Sequence, residues 1–456
     1  MSLTSISFIG VYFPLLLTAF YNPIFTKNQF QKFILLSASI GFYAFVEPFY
    51  VFLLIGIILM NYLLVKASDH SGRWFFRGLA IAFDAGILLF YKYINYFLSF
   101  GQLQTGFQSI AFPVGLSYYS FKSISYVVDS RYEKEGSLLD VALYISNFLT
   151  IVSGPLSMYE DELHAIRKKK TFSFDTAYKG IEKIIIGLGK KVIIADNLGK
   201  LANCCFLSGE LSVVMAWAGA IAFSLQLLFD FSGYTDMAVG TGSLFGFELP
   251  ENFNYPYMAT SISDFWKRWH ISLTKWFTKY IYIPLGGSRV KSVSRHLFNL
   301  FAVWLVTGVW HGSSMTFIVW AMIYFVLQAL EKYTSLKRLI SKIHLGHIYT
   351  MLVVILEWVI FRSESLSAAF LYIRSMFACN GNALYSLDEL NTIQRFLVPL
   401  ILAAVFSTFF GLKLKAFFKK NNSRQFFYNT GLLIMFVVCI IMIISQGYSA
   451  PLYAEF

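Results

Sequence analysis

An all-α protein that crosses a lipid bilayer many times is the fold class this sequence predicts, and three observations predict it. Of its 456 residues, 57% are hydrophobic and 14% charged, where soluble domains carry roughly 25% charged residues. Apolar runs of roughly 17 to 25 residues, long enough to cross a hydrocarbon core as helix, recur along the chain. Segments of about ten residues with alternating polarity, the mark of a membrane β-barrel, do not occur. About eleven transmembrane helices with added re-entrant and interfacial pieces are expected in one polytopic domain over residues 1–456. Within it, N-terminal helices occupy 1–130, a core 139–330 and C-terminal helices 347–446.

The formal net charge of +12 would point to nucleic acid in a soluble protein. Here the bases sit in short loops between apolar runs, the pattern that orients helices with positive loops inside. The bilayer is therefore the expected partner, and nucleic acid is not. Cys204, Cys205, Cys379 and Cys439 show no CxxC spacing, so neither a metal site nor a disulfide framework is supported. The first apolar run lacks a basic n-region and a small-residue cleavage site, and reads as a retained helix with the N-terminus outside.

Spans are expected at 5–21, 31–46, 49–66, 78–91 and 107–128. The last carries Lys122 among serines and aromatics, and a buried lysine needs a partner, so this helix faces the protein interior. Run 139–159 is flanked by bases at both ends, Arg131 and Lys134 before and His164 to Lys170 after. One crossing cannot have both ends inside, and Gly154-Pro155 marks a broken or re-entrant helix. Residues 179–200 alternate bases with aliphatics, as an interfacial amphipathic helix would. Run 211–229 is a clean span that delivers Asp230. After the central stretch, 347–361 crosses outward, 363–395 is a polar external segment and 396–412 returns. Residues 412–424 form a basic cytoplasmic loop, and 427–446 cross again to leave the C-terminus outside.

The candidate chemistry lies between Asp230 and His311. Between Asp264 and Arg295 seven bases face one acid, which places that segment at the cytoplasmic face. The next basic loop, from Lys332, is cytoplasmic too, so 297–330 must enter the membrane and return. Its 34 residues are too few for two full crossings of about 20, but two shortened legs reach a tip near His311-Gly312-Ser313-Ser314. From Leu297 to His311 a helix rises roughly 21 Å, which puts His311 at or beyond the bilayer centre. An imidazole at that depth needs a polar cavity or a partner. Two readings stand, a catalytic histidine and a histidine hydrogen-bonded between packed helices. His270, in KRWHISLTKW, is either a surface histidine on an interfacial helix or a supporting residue of the site. Lys267 and Arg268 are positive-inside residues or phosphate contacts on an incoming donor. Asp230 and Asp236 either orient a polar network or pair with Lys122. GTGSLFG breaks the G-x-G-x-x-G spacing, and neither HExxH nor G-x-S-x-G occurs, so no metal site is expected.

The motifs DFSGYTDMAVG, PENFNYPY, FWKRWHISLTKWF, YIPLGGSR and TGVWHG resemble the membrane-bound O-acyltransferase (MBOAT) family, within it the bacterial alginate and peptidoglycan O-acetyltransferase branch. The teichoic acid D-alanine transferase is a more distant relative. The resemblance implies a ring of helices around a central tunnel in the bacterial cytoplasmic (inner) membrane. It carries the family's catalytic histidine onto His311 and the second histidine onto His270. It also implies transfer of an acyl group, usually acetyl, from a cytoplasmic acyl-CoA or acyl carrier protein thioester, with no bound cofactor. The group moves to a hydroxyl outside the membrane, on a polysaccharide, peptidoglycan or partner protein, and a separate extracytoplasmic acyltransferase finishes the transfer. On this reading Trp266, Lys267 and Arg268 line the donor's mouth, Trp310 and Ser313 flank His311, and Asp230 and Asp236 shape the polar network. A transporter or channel remains the alternative, since intramembrane charges and broken helices serve ion pathways as well.

Overall fold

The computed structural model describes residues 3–25, 27–100, 110–132, 136–446 and 452. Lys134 and the start of the 107–128 run lie outside them. Among the described residues every regular element is helical. The chain divides into two compact units, one of Met1–Ile186 with Tyr234–Glu251, the other of Gly187–Gly233 with Asn252–Leu452.

In the first unit, helix α1 (Leu116–Asp129) is buried on nearly every face. Its Lys122 has the partner that burial demands: Nζ lies 3.1 Å from Glu162 Oε2 and 2.8 Å from Thr150 Oγ1, and Asn147 donates to the other Glu162 oxygen at 2.7 Å. The pair is thus Lys122–Glu162, not Lys122 with Asp230 or Asp236. Run 139–159 is broken, as its glycine and proline suggest: helix Leu138–Ser146 ends, residues 147–158 are irregular, and helix Tyr159–Arg167 follows. Gly115 (φ +79°) starts α1 so close to the Ile151 carbonyl that no Cβ fits.

Residues 174–206 are helical throughout, with a π-turn at Lys190–Ala195. The expected amphipathic helix is present, with one departure among its bases. Lys191 points inward, 2.6 Å from Asp230 and 2.7 Å from Asp196, because two carboxylates supply the counter-charge that lets a lysine leave water. Helix α2 (Val213–Leu244) runs straight through DFSGYTDMAVG, so Asp230 lies within a helix and not at the end of a span. Gly233 makes room for the π-turn: a Cβ there would stand 2.7 Å from the Gly187 carbonyl.

The second unit continues with two short helices, α3 (Ile262–Arg268) and α4 (Ile271–Phe277), then α5 (Val293–His311) and α6 (Met315–Tyr333), then α7 (Gly346–Arg362). Helices α5 and α6 form an antiparallel hairpin. Its register is set by Phe301 on Phe325, Trp304 on Tyr324 and His311 on Phe317. The turn falls where expected, but the legs are longer than the apolar run. Ser292 caps α5 five residues before Leu297, and α6 continues to Tyr333, because polar ends propagate a helix as well as apolar ones. At 19 residues each leg rises about 28 Å.

Four described helices are long and apolar enough to cross a membrane: Val51–Ser71, α2, α6 and Asn422–Ser445. A bent pair, Leu387–Arg395 and Leu397–Phe406 at 58°, makes a fifth if it is one span. The segment 412–424, expected as a loop, carries a further helix, Phe410–Phe418.

Candidate active site

The α5–α6 tip is shaped by small residues. At Gly308 a Cβ would come 3.0 Å from both the Ala321 Cβ and the Phe317 carbonyl, and at Gly312 it would meet the Phe317 ring at 2.5 Å. These two glycines let the legs close, and Ser314 restarts the helix by accepting from the Thr316 amide at 3.3 Å. His311 is therefore the last residue of α5, 4% exposed. Its ring sits edge-on to Trp320 at 4.9 Å and to Phe361 of α7 at 5.2 Å, with Trp310 at 4.5 Å and Phe317 stacked at 6.2 Å. Four aromatic rings thus exclude water from an imidazole whose position is fixed by a rigid turn.

His270 sits between α3 and α4, 2% exposed, with the left-handed backbone φ 46°, ψ 52°. A non-glycine residue there needs support, and ENFNYPY provides it. The Asn252 carbonyl accepts from Ile271 N at 3.0 Å, Asn252 Oδ1 accepts from Ser272 N and Oγ at 3.1 and 2.6 Å, and Asn254 N donates to the Arg268 carbonyl at 2.9 Å. The His270 ring lies edge-on to Phe231 at 4.7 Å. Burial pushes its imidazole down to about 3, so it stays neutral at physiological pH. His270 is not a surface histidine. It belongs to the interior, where its neighbour Trp269 meets Trp358 at 5.0 Å and Trp358 stacks on Trp320 at 6.1 Å.

Trp266 enters the same aromatic cluster, 5.8 Å from Trp320 and 5.0 Å from Tyr324. The structure therefore brings Trp266 and His311 together through Trp320, with Trp310 against the imidazole, and Ser313 lies in the turn beside His311. Lys267 is exposed. Arg268 is bound to Asp264 (Nε to Oδ1, 3.0 Å), so its guanidinium is partly committed within its own helix. Asp230 neutralises Lys191 and accepts from the Leu452 amide at 2.9 Å. Asp236 belongs to the other unit and lies 3.7 Å from Lys183.

Three residues escape a reading of motifs. His296, at the foot of α5, bonds Tyr282 at 2.7 Å and Lys332 at 2.9 Å through Nε2, and Tyr333 at 2.7 Å through Nδ1. It ties both feet of the hairpin to YIPLGGSR. Burial and the Lys332 charge hold its pKa below the ordinary histidine value. Glu331 accepts from Ile262 N at 2.6 Å, Ser263 N at 3.0 Å and Ser263 Oγ at 2.7 Å, so a carboxylate caps α3 and aims Trp266. Glu357 of α7, 4% exposed, lies one turn before Phe361. The signal for the first was a third histidine in the central stretch. For the acids it was an isolated carboxyl in an apolar helix. No group of three or more His, Cys, Asp or Glu stands in a metal-binding arrangement among the described residues.

Such a site can place a proton acceptor beside two reacting groups in a dry, ring-lined space. The model of the membrane-bound O-acyltransferase family matches residues 87–372. The chain is 33% identical to the "Probable alginate O-acetylase AlgI" of Pseudomonas aeruginosa, covering 89% of this chain and 80% of that protein. It is 30% identical to the peptidoglycan O-acetyltransferase of Helicobacter pylori, over 95% and 93%. With the teichoic acid D-alanyltransferase of Bacillus subtilis the identity is 31%, over 59% of this chain and 71% of the relative.

Proposed function

Because the chain belongs to the membrane-bound O-acyltransferase family, and is thus a multi-pass membrane O-acyltransferase, we propose that it moves an acetyl group from a cytoplasmic thioester to a hydroxyl outside the inner membrane. The acceptor is a polysaccharide, peptidoglycan or partner-protein hydroxyl, as the names of the alginate and peptidoglycan relatives suggest. On this reading about eleven crossings leave both termini outside. The donor is acyl-CoA or an acyl carrier protein, and a separate extracytoplasmic acyltransferase completes delivery to polymer.

The observation that carries the reading is the place of His311, held at a hairpin tip by glycine-permitted packing and walled by four rings. A neutral imidazole carries a lone pair that can take up a proton. It accepts the hydroxyl proton as oxygen attacks the thioester carbon, and passes it to the departing thiolate as the C–S bond breaks. His270 supports this as a buried neutral group behind the aromatic cluster. Trp266 and Lys267 stand at the donor's entry.

The test is protein reconstituted in liposomes with labelled acetyl-CoA. Wild type releases thiol and transfers label, and His311→Ala loses at least about 100-fold of that rate while inserting normally. Turnover in the variant at the wild-type rate removes His311 from the chemistry.

A further inference from the structure

From the basic foot of the hairpin the chain returns along α7 to the level of the tip, and α7 ends on Arg362. Arg362 directly follows Phe361, whose ring is part of the wall around His311. Its guanidinium is clamped between two aromatic faces of the same unit, Phe206 at 4.9 Å and Phe223 of α2 at 4.7 Å. The clamp is itself locked. Tyr372 stacks on Phe206 at 4.3 Å and 13° and donates its hydroxyl to the Ala216 carbonyl at 3.0 Å. Gly219 leaves the space, since a Cβ there would stand 2.4 Å from both the Tyr372 hydroxyl and Cys205 Cβ.

What this cation lacks is a counter-charge. A guanidinium carries five N–H donors, and among the described residues one bond engages them, from Nη2 to Asn203 Oδ1. Nε is buried and unpaired. The groups that reach Arg362 electrostatically are Tyr372 and Cys205, and neither is a carboxylate. Glu364, two residues on, is exposed and forms no ion pair with it. Glu389 turns to the start of α2, where its Oε1 accepts from Ser212 N at 3.1 Å. Lys191, by contrast, goes inward only with two carboxylates beside it. Buried donors and charges are almost always met by a partner. Arg362 is open to one, for it is half-buried and Asn203 beside it is exposed.

The chemistry of that partner follows from the clamp. A planar fork with Nε uncommitted takes an oxyanion side-on. One cation with no second base among its electrostatic neighbours balances one negative charge, which fits a carboxylate and not a phosphate monoester. Its place at the level of the tip, away from the basic feet, puts the carboxylate on the side from which a hydroxyl acceptor arrives. A uronate sugar carries a carboxylate and hydroxyls on one ring.

We infer that Arg362, held by Phe206, Phe223 and Asn203, anchors the carboxylate of an acidic saccharide acceptor. This rests on the reading above in which the acceptor hydroxyl reaches His311 from outside. Arg362 is a positioning residue: it holds the acceptor and leaves proton transfer to His311.

The probes are tetragalacturonate and its methyl ester, titrated calorimetrically into the full-length chain in nanodiscs of zwitterionic lipid. Wild type binds the acid, and binds the uncharged ester at least about tenfold more weakly. Arg362→Gln loses at least about tenfold in affinity for the acid, and Arg362→Lys, which keeps the charge without the fork, falls between. No binding by wild type, equal affinity for acid and ester, or wild-type affinity in Arg362→Gln each overturns the subsite. So does phosphatidylglycerol that copurifies with wild type and is lost from Arg362→Gln, which would assign the guanidinium to a lipid headgroup. If Arg362→Gln folds poorly, Arg362→Lys decides, and full wild-type affinity in it counts against the proposal. Acetyl transfer to tetragalacturonate is measured separately, and Arg362→Lys raises the acceptor KM more than it lowers kcat. Protein that binds the acid through Arg362 but transfers nothing to it keeps the subsite and loses the reaction. Transfer with the same acceptor KM in wild type and Arg362→Lys does the reverse.

Discussion

At the scale of single residues, the site depends on what is missing from side chains as much as on what is present. Gly312 has no Cβ where one would meet the Phe317 ring at 2.5 Å. Gly312→Ala must displace that ring, which itself stacks on His311. The expected cost is about 1–3 kcal/mol and a loss of acyl transfer of at least about tenfold, read by melting midpoint and thiol release. His270 makes a pH prediction. Its folded-state pKa is depressed to about 3, against about 6.5 in an unfolded chain. Between those values the unfolded state binds more protons, so this residue's contribution is fully present above pH 6.5 and is lost as pH falls toward 3. The melting midpoint in detergent should drop between pH 7 and pH 5, and His270→Gln, which cannot titrate, should flatten that slope. A slope unchanged by the substitution would place the pH dependence elsewhere.

At the scale of elements, polar contacts decide how the helices are locked. The π-turn at Lys190–Ala195 meets α2 through one buried cation, Lys191, between Asp230 and Asp196. Lys191→Met leaves two carboxylates facing each other, one of them deeply buried, and should cost about 3–5 kcal/mol. Lys191→Met with Asp230→Asn should recover part of that, a coupling that a double-mutant cycle on thermal unfolding measures. Additive losses would mean that the pair is not the lock. Helix α3 is held in the same manner from its N-terminus by Glu331, and the left-handed turn at His270 by Asn252. The ENFNYPY motif thus serves to build the turn that buries a histidine.

At the scale of the whole molecule, sidedness is the property to measure. Cys379 is exposed, and Cys205 and Cys439 are buried. Cys379 follows helix Leu366–Met376, within the segment assigned to the outside. In a Cys204→Ser background, an impermeant maleimide added to intact cells should label Cys379 alone. Labelling only after the membrane is opened would invert the assignment of α7 and of every later helix. Sidedness also fixes the direction of transfer, since thioesters are supplied in the cytoplasm and the proposed acceptors lie outside.

Hydrophobicity and its periodicity are local quantities, and the sequence by itself settled what depends on them. These were the all-helical membrane class, the hairpin with its tip near His311, the break within run 139–159 and the need of Lys122 for a counter-ion. The motifs added the family. The partners of Lys122 and Asp230 were decided only by tertiary structure, because an ion pair joins residues far apart in sequence through the rotation of the helices that carry them. Helix ends were decided there too, since Ser292, Glu331 and Asn252 act as caps through contacts that no apolar run encodes. The same holds for Glu357 and His296: each reads as an isolated polar residue until the packing of α5, α6 and α7 surrounds it.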